Sequence, residues 1–193
     1  MDLPSITPSP AALKALAHPV RLRMLSLLRL EGPATATTLA TRLGLNTGAT
    51  SYHLRQLEQH GFVVEDTGRG NARDRWWAAA HQSTDTGREE PPDDAGREIL
   101  DAYLQSVAVM LTENLQRAVE ERSLLPDEWR KASKFSDWVV RLTPKRALAL
   151  VEAVDQVIHE VEEDEDDDEG AVQFMVQFQA FPLPGKVFGE GIS

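Results

Sequence analysis

The chain of 193 residues contains no cysteine, which removes disulfides, thiolate metal sites, iron–sulfur clusters and thiol redox sensing together. Any sensing has to use other groups. Long apolar runs are missing too: the longest, such as residues 107–111, reach five residues, whereas a membrane-spanning helix needs about 20. Met1-Asp2-Leu3-Pro4-Ser5 has neither the basic start nor the apolar stretch of a secretory signal, so the expected location is the cytoplasm. Aromatic residues are scarce at 6%, yet 41% of the chain is hydrophobic and Gly and Pro are ordinary, a composition that fits a folding chain of one sizeable or two small domains.

Basic charge is also in short supply, with 20 Lys+Arg against 31 Asp+Glu and a formal net of −11. The deficit is uneven. Residues 1–80 carry a net +3 and residues 81–193 a net −14. Between the halves, Gln82-Ser83-Thr84-Asp85-Thr86-Gly87-Arg88-Glu89-Glu90-Pro91-Pro92-Asp93-Asp94 has two prolines and no hydrophobic period, and reads as a linker over 82–94. Arginine outnumbers lysine fifteen to five, a weak pointer to a GC-rich bacterial genome.

The first half reads as short helices and then a hairpin. Ser9-Pro10 is a cap followed by a first-turn proline, and Leu13, Leu16 and Ala17 follow at helical spacing. Leu22, Met24, Leu25 and Leu28 mark a second helix that stops at Gly32-Pro33. A third spans Thr35 to Leu43 and is closed by Gly44. Asn46 caps a fourth, in which Thr50, Leu54 and Leu57 share a buried face and Gly61 ends the run. Phe62-Val63-Val64-Glu65 and Arg75-Trp76-Trp77-Ala78 are strand-like, with hairpin chemistry in Thr67-Gly68-Arg69-Gly70-Asn71. Because Trp76 and Trp77 point to opposite faces of their strand, one is expected in the core and the other at the surface. Two helices at a tight glycine turn followed by a basic hairpin make a winged helix-turn-helix.

Three runs carry a family resemblance: Leu16-Ala17-His18-Pro19-Val20-Arg21-Leu22-Arg23-Met24-Leu25, Leu39-Ala40-Thr41-Arg42-Leu43-Gly44-Leu45, and Ser51-Tyr52-His53-Leu54-Arg55-Gln56-Leu57-Glu58-Gln59-His60-Gly61-Phe62-Val63. In order and spacing they resemble the ArsR-type winged-helix transcriptional regulators over roughly residues 11–80. The resemblance implies a homodimeric, sequence-specific binder of double-stranded DNA, usually a repressor released by a ligand. It favours groove contact for the face opposite Thr50, Leu54 and Leu57, where Thr47, Gly48, Ser51, Tyr52 and Arg55 sit; a merely solvated face is what spacing alone would equally allow. Arg69, Arg73 and Arg75 lie in or beside the hairpin tip, within reach of backbone or minor groove. His53 either contacts phosphate or satisfies a local hydrogen bond, and His18 is expected to cap or pack. Metal-sensing relatives need clustered Cys or His, whereas the third helix has Thr41-Arg42 and the long helix that follows has no histidine, so neither a metal nor another cofactor is expected.

In the second half, residues 95–122 place Ile99, Leu100, Tyr103, Leu104, Val107, Met110, Leu111, Leu115, Ala118 and Val119 at threes and fours, an amphipathic helix of about 40 Å. Its wide stripe suits more than one neighbour, either an intrachain bundle or a twofold partner through Leu100, Leu104, Val107 and Leu111; the resemblance favours the partner. Trp138, Val140 and Leu142 alternate as in a strand, Thr143-Pro144 opens a helix with an apolar face from Ala147 to Val161, and Val172, Phe174, Val176, Phe178 and Ala180 alternate again. A βαβ-like unit results, too small for a stable sheet alone, so the strands of two subunits are expected to join. Glu160 to Glu169 holds nine carboxylates in ten residues and reads as a solvated connector. Trp129 and Trp138 beside the long helix suit an apolar pocket for an unidentified small-molecule effector, or are plain core.

The expected fold class is therefore α+β: a winged helix-turn-helix over 10–81 after a flexible 1–9, the linker 82–94, a dimerisation and effector module over 95–182 with a long helix and a small βαβ-like part, and a flexible tail over 183–193. The expected partners are a second copy and a pseudo-palindromic operator with half-sites about 10–10.5 bp apart or a multiple of it, and no membrane. The alternative is a dimeric protein-interaction module that presents an acidic surface on a winged-helix scaffold. An enzyme is set aside because no nucleophile–base pair, phosphate-binding glycine loop or metal cluster occurs at workable spacing.

Overall fold

A computed structural model describes residues 5–69, 75–86, 91–164 and 168–187. The chain divides between residues 133 and 134 into two compact units. The first runs β1 (Ser5–Ile6), α1 (Pro10–Leu16), α2 (Pro19–Leu30), β2 (Ala34–Thr35), α3 (Ala36–Leu43), α4 (Thr47–Gln59), β3 (Val63–Glu65), β4 (Trp76–Ala79), β5 (Ser83–Thr84), α5 (Asp94–Glu121), a 3-10 turn (Arg122–Leu124) and α6 (Asp127–Ala132). The described part of the second unit has one helix, α7 (Pro144–His159). No helix among the described residues is long and apolar enough to cross a membrane.

Helices α1 to α5 each begin where a side chain can take up an orphan N–H. Ser9 accepts from Ala12, His18 from Val20, Thr35 from Thr38, Asn46 from Ala49 and Asp93 from Gly96. Between α3 and α4 the chain turns at Gly44, whose φ of 65° is open to glycine at no steric cost. The core gathers Leu13 and Leu16 of α1, Leu22, Met24, Leu25 and Leu28 of α2, Leu39 of α3, Leu54 and Leu57 of α4, then Phe62, Val63 and Trp77 from the hairpin. Tyr103 of α5 completes it, with Ile99, Leu100, Val107 and Met110 packed alongside. Trp77 is buried and Trp76 half-buried, as strand alternation requires.

Three features differ from the sequence expectation. The hairpin has a third strand, β2, so the sheet order is β2-β4-β3, antiparallel throughout, with Ala34 opposite Trp77 and Thr35 opposite Trp76. Thr35 is thus the end of a strand and the cap of α3 rather than its first residue. Ser5–Ile6 pairs in parallel with Ser83–Thr84, which ties residues inside the expected flexible start to residues inside the expected linker. Because α5 docks on α1 and the core, the first compact unit continues through 82–94 to residue 133.

The βαβ-like expectation is corrected in its strands. α7 forms as the Thr143 cap implied, but residues 138–142 and 172–180 build no ladder among the described residues. A strand exists only with a neighbour to share its N–H and C=O groups, and alternation in sequence does not supply one. No described residue of this unit is buried, and Trp138 is 73% exposed with the Lys134 ammonium 5.0 Å from its ring centroid. Trp138 therefore lines no closed apolar pocket.

Two polar arrangements hold the first unit together. Arg29 of α2 donates to the carbonyls of His81 at 2.8 Å and Ser83 at 3.1 Å and to Thr84 Oγ1 at 3.0 Å. Burial pulls its pKa down and pushes that of the nearby Tyr103 up, so charge and phenol are both partly stripped of water here. On the other side of the core, His18 Nδ1 caps α2 and its ring lies 4.8 Å from that of His53 on α4. His53 Nδ1 is buried without a hydrogen-bond partner. Burial is the main cause holding both imidazoles below the usual 6.5; Arg21 adds to this at both, and His18 adds to it at His53.

Replacing Arg29 by Met should destabilise the protein by about 1–3 kcal/mol, since three acceptors lose a charged donor, and urea unfolding would read this as a lower midpoint at unchanged m-value. The histidine pair predicts a pH effect. With folded pKa values below the unfolded ones, the unfolded chain binds protons first on acidification. Stability is then complete above about pH 6.5 and falls as pH drops from there through the lowered folded values. Urea midpoints between pH 7.5 and 5.5 should show a steeper fall for the native chain than for His53→Gln; equal slopes would refute the assignment.

Candidate nucleic-acid interface

α4 has one completely buried face, with Thr50, Leu54 and Leu57 at 0% exposure. The Thr50 hydroxyl donates to the Asn46 carbonyl, so the only polar member of that face is satisfied within the helix. A 3.6-residue repeat then turns Thr47, Ser51 and Arg55 to the other side. Thr47, Gly48, Tyr52 and Arg55 are exposed and Ser51 is half-buried. Tyr52, at 55%, is one of the large apolar-bodied side chains left open.

Thr47, Ser51 and Arg55, but not Gly48 or Tyr52, border a cleft of about 380 Å³ lined also by Thr35, Ala36, Thr37, Arg75 and Trp77. Its lining includes the hydroxyls of Thr35, Thr37, Thr47 and Ser51 and the guanidinium groups of Arg55 and Arg75. The β2–β4 pairing is what brings the N-terminus of α3 to the hairpin, so Thr35 and Thr37 face the same space as Arg55. Sequence reading assigned neither threonine to the site. A two-residue strand leaves no periodicity to detect, and the only available signal was a cap residue placed just after a proline stop.

The hairpin arginines are held by their own element. Arg75 pairs with Glu65 at 3.0 Å and lies 5.4 Å from the Trp77 ring centroid, and Arg69 pairs with Asp66 at 3.2 Å. Each guanidinium remains more than half exposed, at 52% and 62%. One carboxylate per arginine lowers the net positive field but orients the fork, leaving donors directed outward. Arg73 lies outside the described residues. His53, by contrast, turns inward against His18, with Tyr52 edge-on at 5.4 Å, so within α4 the polar line of Thr47, Ser51 and Arg55 is separate from the histidine.

On α5, Leu100 and Val107 pack against the core of their own chain, whereas Leu104 is 47% exposed and Leu111 half-buried. The helix thus has two apolar edges. Leu104, Leu111 and Leu115 lie along the outer one. Among the described residues no three or more His, Asp or Glu side chains converge as a metal site would need.

The helix-turn-helix domain family matches residues 16–66. The HTH-type transcriptional regulator NmtR of Mycobacterium tuberculosis is 45% identical over 56 residues, which are 29% of this chain and 46% of that protein. The chain therefore spans about half the length of the curated relative it matches. Among solved structures, reduced HlyU from Vibrio cholerae is 26% identical over 46% of this chain and 78% of its own, with a TM-score of 0.32. An apo mutant of Lactococcus lactis ZitR is 13% identical over 74% and 83%, with a TM-score of 0.34. Residues 16–66 therefore carry a helix-turn-helix domain whose sequence is similar to that of an HTH-type transcriptional regulator.

Proposed function

We propose that the protein is a homodimeric, sequence-specific binder of duplex DNA that represses transcription, with α4 entering the major groove and the hairpin lying on the backbone or minor groove. The observation that carries this reading is the convergence of Arg55, Arg75 and the Thr35, Thr37, Thr47 and Ser51 hydroxyls on one open cleft. Guanidinium forks match guanine edges and phosphate oxygens, and hydroxyls accept or donate to either. Short side chains near the start of α4 let the helix approach base edges closely. Arg55 is the base reader in this arrangement, with Tyr52 beside it.

Arg75 and Arg69 act on the backbone. Their carboxylate partners keep the forks ordered before DNA arrives, which reduces the ordering that binding has to impose. The net +3 of residues 1–80 is small, so non-specific affinity is modest and sequence contacts carry a large share of binding. The dimer is supported by the outer edge of α5, where Leu104, Leu111 and Leu115, seven and four residues apart, share one face away from the core of their own chain.

Fluorescence anisotropy with a duplex from upstream of the protein's own gene, against a scrambled duplex across a salt series, tests this directly. The upstream duplex should remain preferred at physiological salt. Arg55→Ala should weaken it about tenfold or more and relax the preference, since a bidentate base contact is worth about 1–3 kcal/mol. Arg75→Ala should weaken both duplexes alike and lower the salt slope by about one phosphate contact. Equal weak binding of both duplexes, lost at modest salt, would overturn the reading in favour of a protein-interaction module.

A further inference from the structure

We infer that α7 is a second self-association surface of this protein, packing antiparallel against α7 of another copy. Leu150, Val154 and Val157 recur at steps of four and three, the spacing of a coiled-coil seam, and Val161 follows just beyond the helix end. Val154 is half-buried within its own unit, but Leu150 is 45%, Val157 64% and Val161 53% exposed, so this edge lacks a cover in the chain itself.

Charge indicates what covers it. Lys145 and Arg146 occupy the first turn of α7, while Glu160, Glu162, Glu163 and Asp164 cluster at and just beyond its last turn. Both placements oppose the helix's own dipole, which favours carboxylates at the N-terminus and cations at the C-terminus. Neither Lys145 nor Arg146 makes an ion pair with a described residue of its chain. An antiparallel copy resolves both conflicts at once. With Val154 facing Val157 across the twofold axis, each basic end lies beside the partner's acidic run and the two dipoles oppose. A parallel copy would stack like charge on like, and a generic acidic or basic partner would satisfy one end only.

The absence of native cysteine makes the test clean. Full-length chains carrying Val154→Cys with one tag and Val157→Cys with another are co-expressed and oxidised at micromolar concentration. The mixed disulfide should form about ten times faster or more than in a Leu148→Cys control, because Leu148 lies on the opposite flank and its thiols meet only by collision. Reversing Lys145→Glu and Arg146→Glu should slow the cross-link, and adding Glu160→Lys, Glu162→Lys and Glu163→Lys should restore it. The first reversal strengthens α7 as a helix, so slowing cannot be ascribed to its melting. A mixed cross-link no faster than the control, or one that charge reversal leaves unchanged, would overturn the inference and leave the edge to a different partner. The outcome is independent of whether the N-terminal unit binds DNA.

Discussion

Leu54 and Leu57 are both fully buried, and the position of every other residue on α4 follows from that burial. A buried leucine contributes about 1.5–3 kcal/mol relative to an exposed one, so rotating α4 to present a different face would sacrifice more than a surface contact returns. The same helix therefore serves as a wall of the core and as an outward ridge. What α4 presents to solvent is the complement of what it buries, and the burial of Leu54 sets the side to which the neighbouring Arg55 projects.

The cleft depends on this constraint together with a second one, the pairing of β2 with β4. Alone, α4 would offer a row of polar side chains on a convex helix. The short ladder through Ala34 and Thr35 draws the start of α3 against the hairpin and converts the row into a concavity with two sides. Arg29 supports the back of this assembly by gathering the carbonyls that follow β4. Hairpin position is thereby linked to α2, and a lost hydrogen bond there would be felt where Arg75 sits. His18 and His53 make an analogous connection between α2 and α4, with the difference that theirs weakens when protons are taken up.

The parts legible in the sequence are those built from local repeats. α1, α2 and α4 announced themselves through leucine spacing and caps, and the exposed line of Thr47, Ser51 and Arg55 followed by subtraction. The parts that were not legible depend on partners distant in the chain. β1, β2 and β5 are two residues each, too short for any period, and their existence is decided by what lies opposite. The role of Arg29 leaves no local signal because its acceptors include backbone carbonyls more than fifty residues away. His53 was ambiguous for a related reason: whether a histidine on a half-buried helix edge faces in or out depends on His18, which belongs to another helix.

The C-terminal unit presents the opposite case, a sequence whose local pattern is clear and whose tertiary pairing is missing from the single chain. Alternation at 138–142 and 172–180 and the seam along α7 are signals of burial, yet none of these residues is buried. Small units bury too little surface to be stable alone, so apolar patterning of this density implies a cover. An unrelated protein could provide it, but the charge order along α7 selects among candidates. Basic residues at the positive end of a helix and acidic residues at its negative end are a local cost. Such an arrangement is rational where a reversed copy of the same helix lies alongside, because a twofold axis turns each unfavourable end into the complement of the other. The same segment that makes the protein acidic overall would then hold its charge at the ends of a self-pairing.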